Sequence, residues 1–236
     1  MRTGHFRPRL VDMKPLEPTA RTTVNRGRNR AVSDRNELHR LLQDAFVAHL
    51  GVTVGDHPVV LPAAFAVDPD GPDRDGSLYV HGSVAARWLR GATGVTVCVT
   101  ITELDGLVAA RSAFHHSMNY RSAVVIGQAR LVDDPEEKER ALGLIVDHMI
   151  PGRAATLRAN TRKELAATAV LAVPLHEASL KVRDGGPVDD PEDVAAGTWA
   201  GHLPVRRVIE EPVPAVDAWG PVPHDVVRRA GELTPR

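Results

Sequence analysis

The sequence predicts an α+β protein built around a closed or partly closed antiparallel barrel. Three observations carry this: short Val-rich runs fill the middle of the chain, Asp/Gly/Pro turn signals bound them, and segments of helical period interrupt them. Apolar residues make up 43% and charges of both signs are mixed along the chain, a composition that can form a buried core.

Residues 1–30 carry eight Lys and Arg against two acids, with Pro8, Pro15 and Pro18 and no apolar period, and read as an extended basic arm. Order is predicted from Asp34, because Asp34 and Glu37 have the spacing of a capping box. Leu38, Leu41, Leu42, Ala45, Phe46 and Leu50 then fall at steps of three or four, one face of a helix. From Val52 the period changes. Strands are predicted over 59–67, 77–81, 95–103, 107–112 and 121–132, with turns at Asp68–Gly71 and Asp75-Gly76. Asp105-Gly106, set between two apolar runs, predicts a hairpin. A short helix is expected over 83–90. A second begins at Pro135, where a missing amide costs nothing, and runs to about His148. A third, over 161–167, leads into a strand over 168–175 that continues through Ser179. A Gly/Pro/Asp loop (183–197), one more strand (199–205) and a Pro-rich tail follow. The expected organisation is a basic arm (1–30), one barrel domain (31–206) and the tail (207–236).

Several function classes lose support at this stage. The net charge of −1 gives no overall pull toward nucleic acid, and the basic arm has neither aromatic interleaving nor a helix-turn-helix pattern. The longest apolar stretch, Val59 to Val67, is broken by Pro62 and falls short of the roughly 20 residues of a membrane span. No apolar core follows the basic N-terminus, so a secretory leader is not expected. The single cysteine, Cys98, lies in an apolar run and reads as a small core residue, in keeping with a reducing, cytoplasmic setting. Glycine-rich nucleotide cradles, zinc spacings and a Gly-x-Ser-x-Gly turn are absent from the sequence, and no metal ligands are predicted.

Two segments are more specific. Leu78-Tyr-Val-His-Gly-Ser83 places a Gly and a Ser after a strand, with Arg87 four residues on. If a helix starts at Ser83, its free amides, the hydroxyl and the guanidinium suit a phosphate; a capped helix with a solvated Arg is the alternative. The second segment runs from Ala110 to Ala129 and packs His115, His116, Asn119, Tyr120, Arg121 and Ser122 where a hairpin would pass into a long strand.

Together these segments resemble the pyridoxamine 5′-phosphate oxidase-like superfamily of FMN-binding split barrels, in the branch of the nitroimidazole-resistance reductases and flavin-nucleotide-binding proteins. The resemblance spans roughly residues 20–205. It rests on Leu78–Ser83, Asp105-Gly-Leu-Val-Ala-Ala-Arg-Ser112, His116-Ser-Met-Asn-Tyr-Arg-Ser122, Glu177-Ala-Ser-Leu-Lys181, Pro151-Gly-Arg153 and Trp199-Ala-Gly-His-Leu-Pro204. It implies an antiparallel split barrel with inserted helices that holds FMN at a homodimer interface. It also implies hydride transfer through the flavin N5 to or from a small molecule.

By the same resemblance, Pro62, Ala63 and Ala64 would line the isoalloxazine. His81, Gly82 and Ser83 would lie near the ribityl chain and phosphate, with Arg87 as the phosphate clamp. Asn119 and Tyr120 belong to the same polar block. Arg121-Ser122 takes the place of an Arg-Gln pair that reaches the flavin, with the Gln replaced. Trp199 stands where a late Trp contacts the flavin, and Lys181 would either meet the phosphate or extend to water. His81 is the group placed to move a proton, and a structural histidine is its alternative reading. A counterpart of the residues that recognise pyridoxamine phosphate is missing, so vitamin B6 oxidation is not expected. The same fold with haem or deazaflavin, or a flavin-binding sensor or carrier without turnover, are the other readings.

Overall fold

The computed structural model describes residues 14–232. In chain order its elements begin with β1 (Ala31–Val32), α1 (Arg35–Asp44), β2 (Ala48–Val54), β3 (His57–Ala63), β4 (Phe65–Asp68) and β5 (Ser77–Ser83). Next come α2 (Arg87–Ala92), β6 (Thr96–Ala109), β7 (Ser117–Gln128), β8 (Arg130–Leu131) and α3 (Pro135–Met149). The rest are α4 (Arg162–Ala167), β9 (Thr168–Pro174), β10 (Ala178–Arg183), α5 (Pro191–Ala195), β11 (Gly201–Pro204) and α6 (His224–Arg229). The strands form two antiparallel sheets. The large one has the order β1-β10-β7-β6-β2-β3, with β11 added to β6, and the small one has the order β4-β5-β9-β8. This is the α+β, split-barrel class of architecture, and the two sheets do not close on each other.

One core lies between the sheets. Leu38, Leu41 and Leu42 of α1 meet Leu50, Val99, Ile101, Val125 and Leu180 from the large sheet and Leu78, Val80 and Leu171 from the small one. Leu16 joins the same cluster and donates its amide to the Ser33 carbonyl at 2.7 Å. A second apolar layer packs α3, through Ala141 and Ile145, onto Tyr79, Val170 and Ala172 on the other face of the small sheet.

Four local expectations are corrected. The first helix stops at Asp44, and Leu50 reaches the core from β2 instead. Its apolar spacing is shared by a helix and a strand that happen to enter one core. Asp105-Gly106 is not a hairpin turn. β6 passes straight through it, with a register shift between Leu104 and Gly106, because β7 and β11 pair with β6 on its two sides and hold it extended. No helix starts at Ser83: β5 runs to Ser83, and α2 begins only at Arg87. The strand from Thr168 does not continue through Ser179, since β9 and β10 belong to different sheets.

Arg130 ties the small sheet together. Its guanidinium pairs with Asp73 (2.8 and 2.9 Å) and with Glu137 (2.5 and 3.0 Å), and Tyr79 donates its hydroxyl to Glu137 at 2.8 Å. Arg130 holds the Glu137 carboxyl below the usual carboxylate range, against the effect of burial. Burial pushes Asp73 upward, but hydrogen bonds from Arg130 and Ser77 outweigh it and leave the carboxyl lowered.

A carboxylate with a depressed folded value stabilises the fold fully above its unfolded value, and that contribution disappears as pH falls through the folded value. Thermal stability should therefore hold from neutral pH down to about 5 and drop below about 4.5. Glu137→Gln should flatten this acid limb and cost roughly 1.5–3 kcal/mol at pH 7. Thermal melts of the two proteins across pH check both outcomes.

Candidate functional site

Strand alternation makes the outer face of the large sheet. Val97, Val99 and Ile101 of β6 are buried in the core, so Thr96, Cys98, Thr100 and Thr102 point the other way. Register aligns Pro62, His49, Thr100, Val124 and Ser179 in one row across β3, β2, β6, β7 and β10. The neighbouring row brings together Thr102, Ser122 and Lys181. The Thr102 and Ser122 hydroxyls are 2.9 Å apart. The result is a shelf of small side chains, about 19 Å wide at roughly 4.8 Å per strand spacing. Val60, Leu104, Leu107 and Met118 are exposed on these strands. Cys98, expected in the core, is half-buried on this outward phase, beside Gly51 and Ile126.

The structure distributes the predicted site residues as follows. Pro62 and Ala63 end β3, and Ala64 sits at the bend into β4. His81 and Gly82 are half-buried near the end of β5, and His81 Nδ1 is buried with no hydrogen-bond partner among the described residues. Gly82 is closely packed: a Cβ there would lie 3.0 Å from the Trp88 ring and 3.1 Å from Leu89 Cδ1, so those side chains would have to give by a few tenths of an ångström. Ser83 is exposed, and its hydroxyl accepts from the Ala85 amide at 3.2 Å. Arg87, also exposed, opens α2, which packs against β2. Lys181 is three strands away from β2, on β10, and donates to the Arg26 carbonyl at 3.0 Å. Trp199 is 68% exposed and packs over Gly201 at the start of β11.

Asn119 to Ser122 do not act as one block. Successive residues of β7 face opposite sides, so Tyr120 and Ser122 share the outer face while Asn119 and Arg121 point inward. Asn119 is buried, donates to the Gly185 carbonyl at 3.0 Å and accepts from Arg183. Arg121 forms a fork with Asp105 (3.0 and 3.1 Å) and reaches Asp44 at 2.6 Å. Burial alone would lower the Arg121 value, but these carboxylates more than reverse it and keep the guanidinium charged. Burial pushes the Asp44 carboxyl up even against that hydrogen bond, so the pair sits in a partly desolvated place. Arg207 joins the cluster through Glu103 and the Asp44 carbonyl.

Two cavities lie outside the shelf. An apolar one of about 520 Å³ adjoins Ala64 and Val47 and is walled by Phe46, Met149, Ile209 and Val226. His148 packs against Phe46 and donates Nε2 to the Ala45 carbonyl at 2.6 Å; burial holds the imidazole below its ordinary value. A polar cavity of about 530 Å³ lies at the β7–β10 end, between Arg30, Phe114, His116, Asp184 and the Gly185-Gly186 loop. Sequence reading missed Thr100, Thr102 and His49 of the shelf. The alternation Val97-Cys-Val-Thr-Ile-Thr102 was the signal that could have found the two threonines. Among the described residues, His, Cys, Asp and Glu form no group of three placed to hold a metal ion, and no helix is long and apolar enough to cross a membrane.

Split sheets, a common core and an exposed shelf define a protein of the oxidase-type split-barrel class. The chain belongs to the pyridoxamine 5′-phosphate oxidase family, whose pattern matches residues 34–182. Among solved structures, it is similar to the flavocytochrome Anf3 from Azotobacter vinelandii, with 37% identity, a TM-score of 0.83 and coverage of 92% of this chain and 100% of that one. It is also similar to the FAD and heme binding protein from Mycobacterium smegmatis, with 38% identity, a TM-score of 0.79 and coverage of 86% and 98%. A protein from Bacteroides thetaiotaomicron described as a candidate for 5-nitroimidazole antibiotic resistance shares the fold, with 22% identity, a TM-score of 0.54 and coverage of 64% and 86%. No curated protein matches the chain at a significant level.

Arg121→Ala should destabilise the fold by roughly 1.5–3 kcal/mol, the worth of charge-assisted hydrogen bonds, because it strands Asp44 and Asp105. Urea unfolding measures this loss. Ser122→Ala, which removes one outward hydroxyl, should stay within about 0.5 kcal/mol of the parent.

Proposed function

We propose that this chain is a flavin-dependent oxidoreductase that works as a homodimer, with FMN or a larger flavin nucleotide laid on the outer face of the large sheet. The observation that carries this reading is the shelf itself: small, flat, lined with hydroxyls and exposed on a family scaffold. Its side chains fit a planar ring, since Thr100, Thr102, Val124 and Ser179 leave room for one across several strands. When bound, the flavin supplies hydride or electron transfer to or from a small molecule. The protein supplies orientation. Pro62, Ala63 and Ala64 border the ring, and Ser122 with Thr102 offers hydroxyl hydrogen bonds at its edge. Trp199 is exposed beyond the Ala109 end of β6, seven residues or about 24 Å along that strand from Thr102, so it would cover a ring held by a second copy. His81 keeps a ring nitrogen free of protein partners, but it shares the Tyr79–Val170 face of the small sheet, away from the shelf of its own chain, so the proton we assign it to hold or pass goes to a flavin held with a second copy.

Homodimerisation has two supports. Val60, Leu104, Leu107 and Met118 leave apolar surface exposed around the shelf, as an unpaired interface would. Arg87 heads α2, which packs on β2, and Lys181 lies three strands away on β10, about 14 Å at 4.8 Å per strand, so one phosphate engages both only if two copies contribute. The single free thiol, Cys98, is compatible with a cytoplasmic setting.

A haem beside the flavin is the second reading. Two relatives at 37% and 38% identity, spanning most of this chain, are described as a flavocytochrome and an FAD and heme binding protein. His81, whose Nδ1 has no hydrogen-bond partner among the described residues, would be the residue to hold it, and the haem would supply one-electron chemistry.

The purified protein should be yellow, and sizing in dilute solution should give a dimer. A colourless protein that takes up no flavin would remove the reading. Arg87→Ala should weaken FMN about ten- to a hundredfold, the loss of one charge-assisted phosphate contact, without unfolding the chain. Riboflavin, which has no phosphate, should bind parent and variant alike in the same titration.

A further inference from the structure

The polar cavity at the β7–β10 end is outside the ring-binding shelf, and none of the roles assigned above uses it. Phe114 stands at its wall with 90% of its surface exposed, an uncovered aromatic face on a short turn. Its neighbour His115 meets the ring edge-on at 5.1 Å, and His115 Nε2 is 3.2 Å from Asp190, so the turn that presents Phe114 is anchored. His116 donates Nδ1 to the Ser112 carbonyl at 2.8 Å, which leaves its Nε2 open toward solvent. Across the cavity, Arg30 makes no ion pair among the described residues, whereas Arg183 is committed to Asn119 and to the Gly185 and Gly186 carbonyls. Asp184 lines the same space and is exposed. At Gly185 and Gly186 a Cβ would meet nothing within 4 Å, so a ligand can approach that backbone closely.

These groups are chemically distinct and complementary to one ligand. An exposed phenyl face stacks a purine base. A free guanidinium pairs with phosphate oxygens. A carboxylate accepts hydrogen bonds from ribose hydroxyls, the role that an acidic residue plays in dinucleotide sites. A volume of about 530 Å³ is ample for a nucleoside diphosphate. The cavity lies within one dinucleotide's length of the shelf: Ser117 on its wall is five residues from Ser122 along β7, about 17 Å at 3.4 Å per residue. We infer that the cavity formed by Arg30, Phe114, Asp184 and the Gly185-Gly186 loop binds an adenosine 5′-diphosphate group, carried by FAD or by a nicotinamide dinucleotide. The FAD source rests on the flavin reading above; the cavity's preference for the adenylate does not.

The test titrates full-length protein, and its Phe114→Ala and Arg30→Ala variants, with ADP, FAD and FMN, and the flavin-loaded protein with NADH. Phe114 is exposed and Arg30 half-buried, and unchanged thermal melts confirm intact folds. Phe114→Ala should weaken ADP about five- to a hundredfold, the worth of one base–aromatic stack, and Arg30→Ala about ten- to a hundredfold. If FAD is the source, its affinity falls in parallel while FMN stays within about twofold. If FAD is unmoved and NADH weakens with ADP, the dinucleotide is the nicotinamide one and the site stands. ADP that does not bind the parent, or that binds both variants as tightly as the parent, overturns the inference. A parent that binds ADP but neither FMN nor FAD overturns the flavin reading and leaves the adenylate site in place.

Discussion

Arg121 holds the open end of the large sheet by pairing with two carboxylates that come from different parts of the chain. Asp44 ends α1, and Asp105 sits at the irregular point of β6. Because Arg207 reaches Glu103 and the Asp44 carbonyl, the segment after β11 is drawn into the same cluster. The whole outward face inherits its phase from this arrangement. β6 keeps one alternation up to Leu104 and resumes it beyond Gly106, and the shift at Asp105 is where its side chain meets Arg121. A partly buried charge cluster of this kind is weak evidence of stability by itself, but it specifies register strongly, since a slip of one residue would strand every partner.

The fold was legible from period and composition where one physical cause acted alone. α3 was readable because Pro135 and the apolar spacing agree, and the expected short helix over 161–167 is met by α4, which Thr161 and Glu164 close with a reciprocal cap. Readings failed where tertiary pairing overrode a local preference. Asp105-Gly106 has the chemistry of a turn, yet two flanking strands hold it extended. Leu50 has helical spacing from Phe46, yet it belongs to a strand that enters the same core. Ser83 reads as a helix cap, yet β9 pairs with β5 up to that residue.

The sequence names candidate site residues but not how they are arranged. Motif resemblance selected Pro62, Ser122 and Lys181 on the strands of the shelf, and also His81, which falls on the far face of the small sheet. It could not show that Asn119 and Arg121 turn away from Tyr120 and Ser122, because four consecutive residues read as one block until their strand is placed in a sheet. Nor could sequence mark Arg30 and Phe114 as neighbours, since the contact that joins them is made by β10 and its following loop. The crowding at Gly82 is physical in the same way: Trp88 and Leu89 press on that backbone from a helix that the sequence only loosely placed.

The outermost long strand has a further consequence. β3 closes one side of the large sheet and carries Pro58 and Pro62, while β1 on the other side is two residues long. Proline has no amide hydrogen, so an incoming strand would find two donors missing along that border. Extension of the sheet by strand addition, the route by which exposed β borders seed fibrils, is blocked on one side by chemistry and on the other by brevity. A second copy can join this fold face to face far more readily than border to border. The molecule can therefore keep a broad, partly apolar β surface open without that surface becoming the start of a filament.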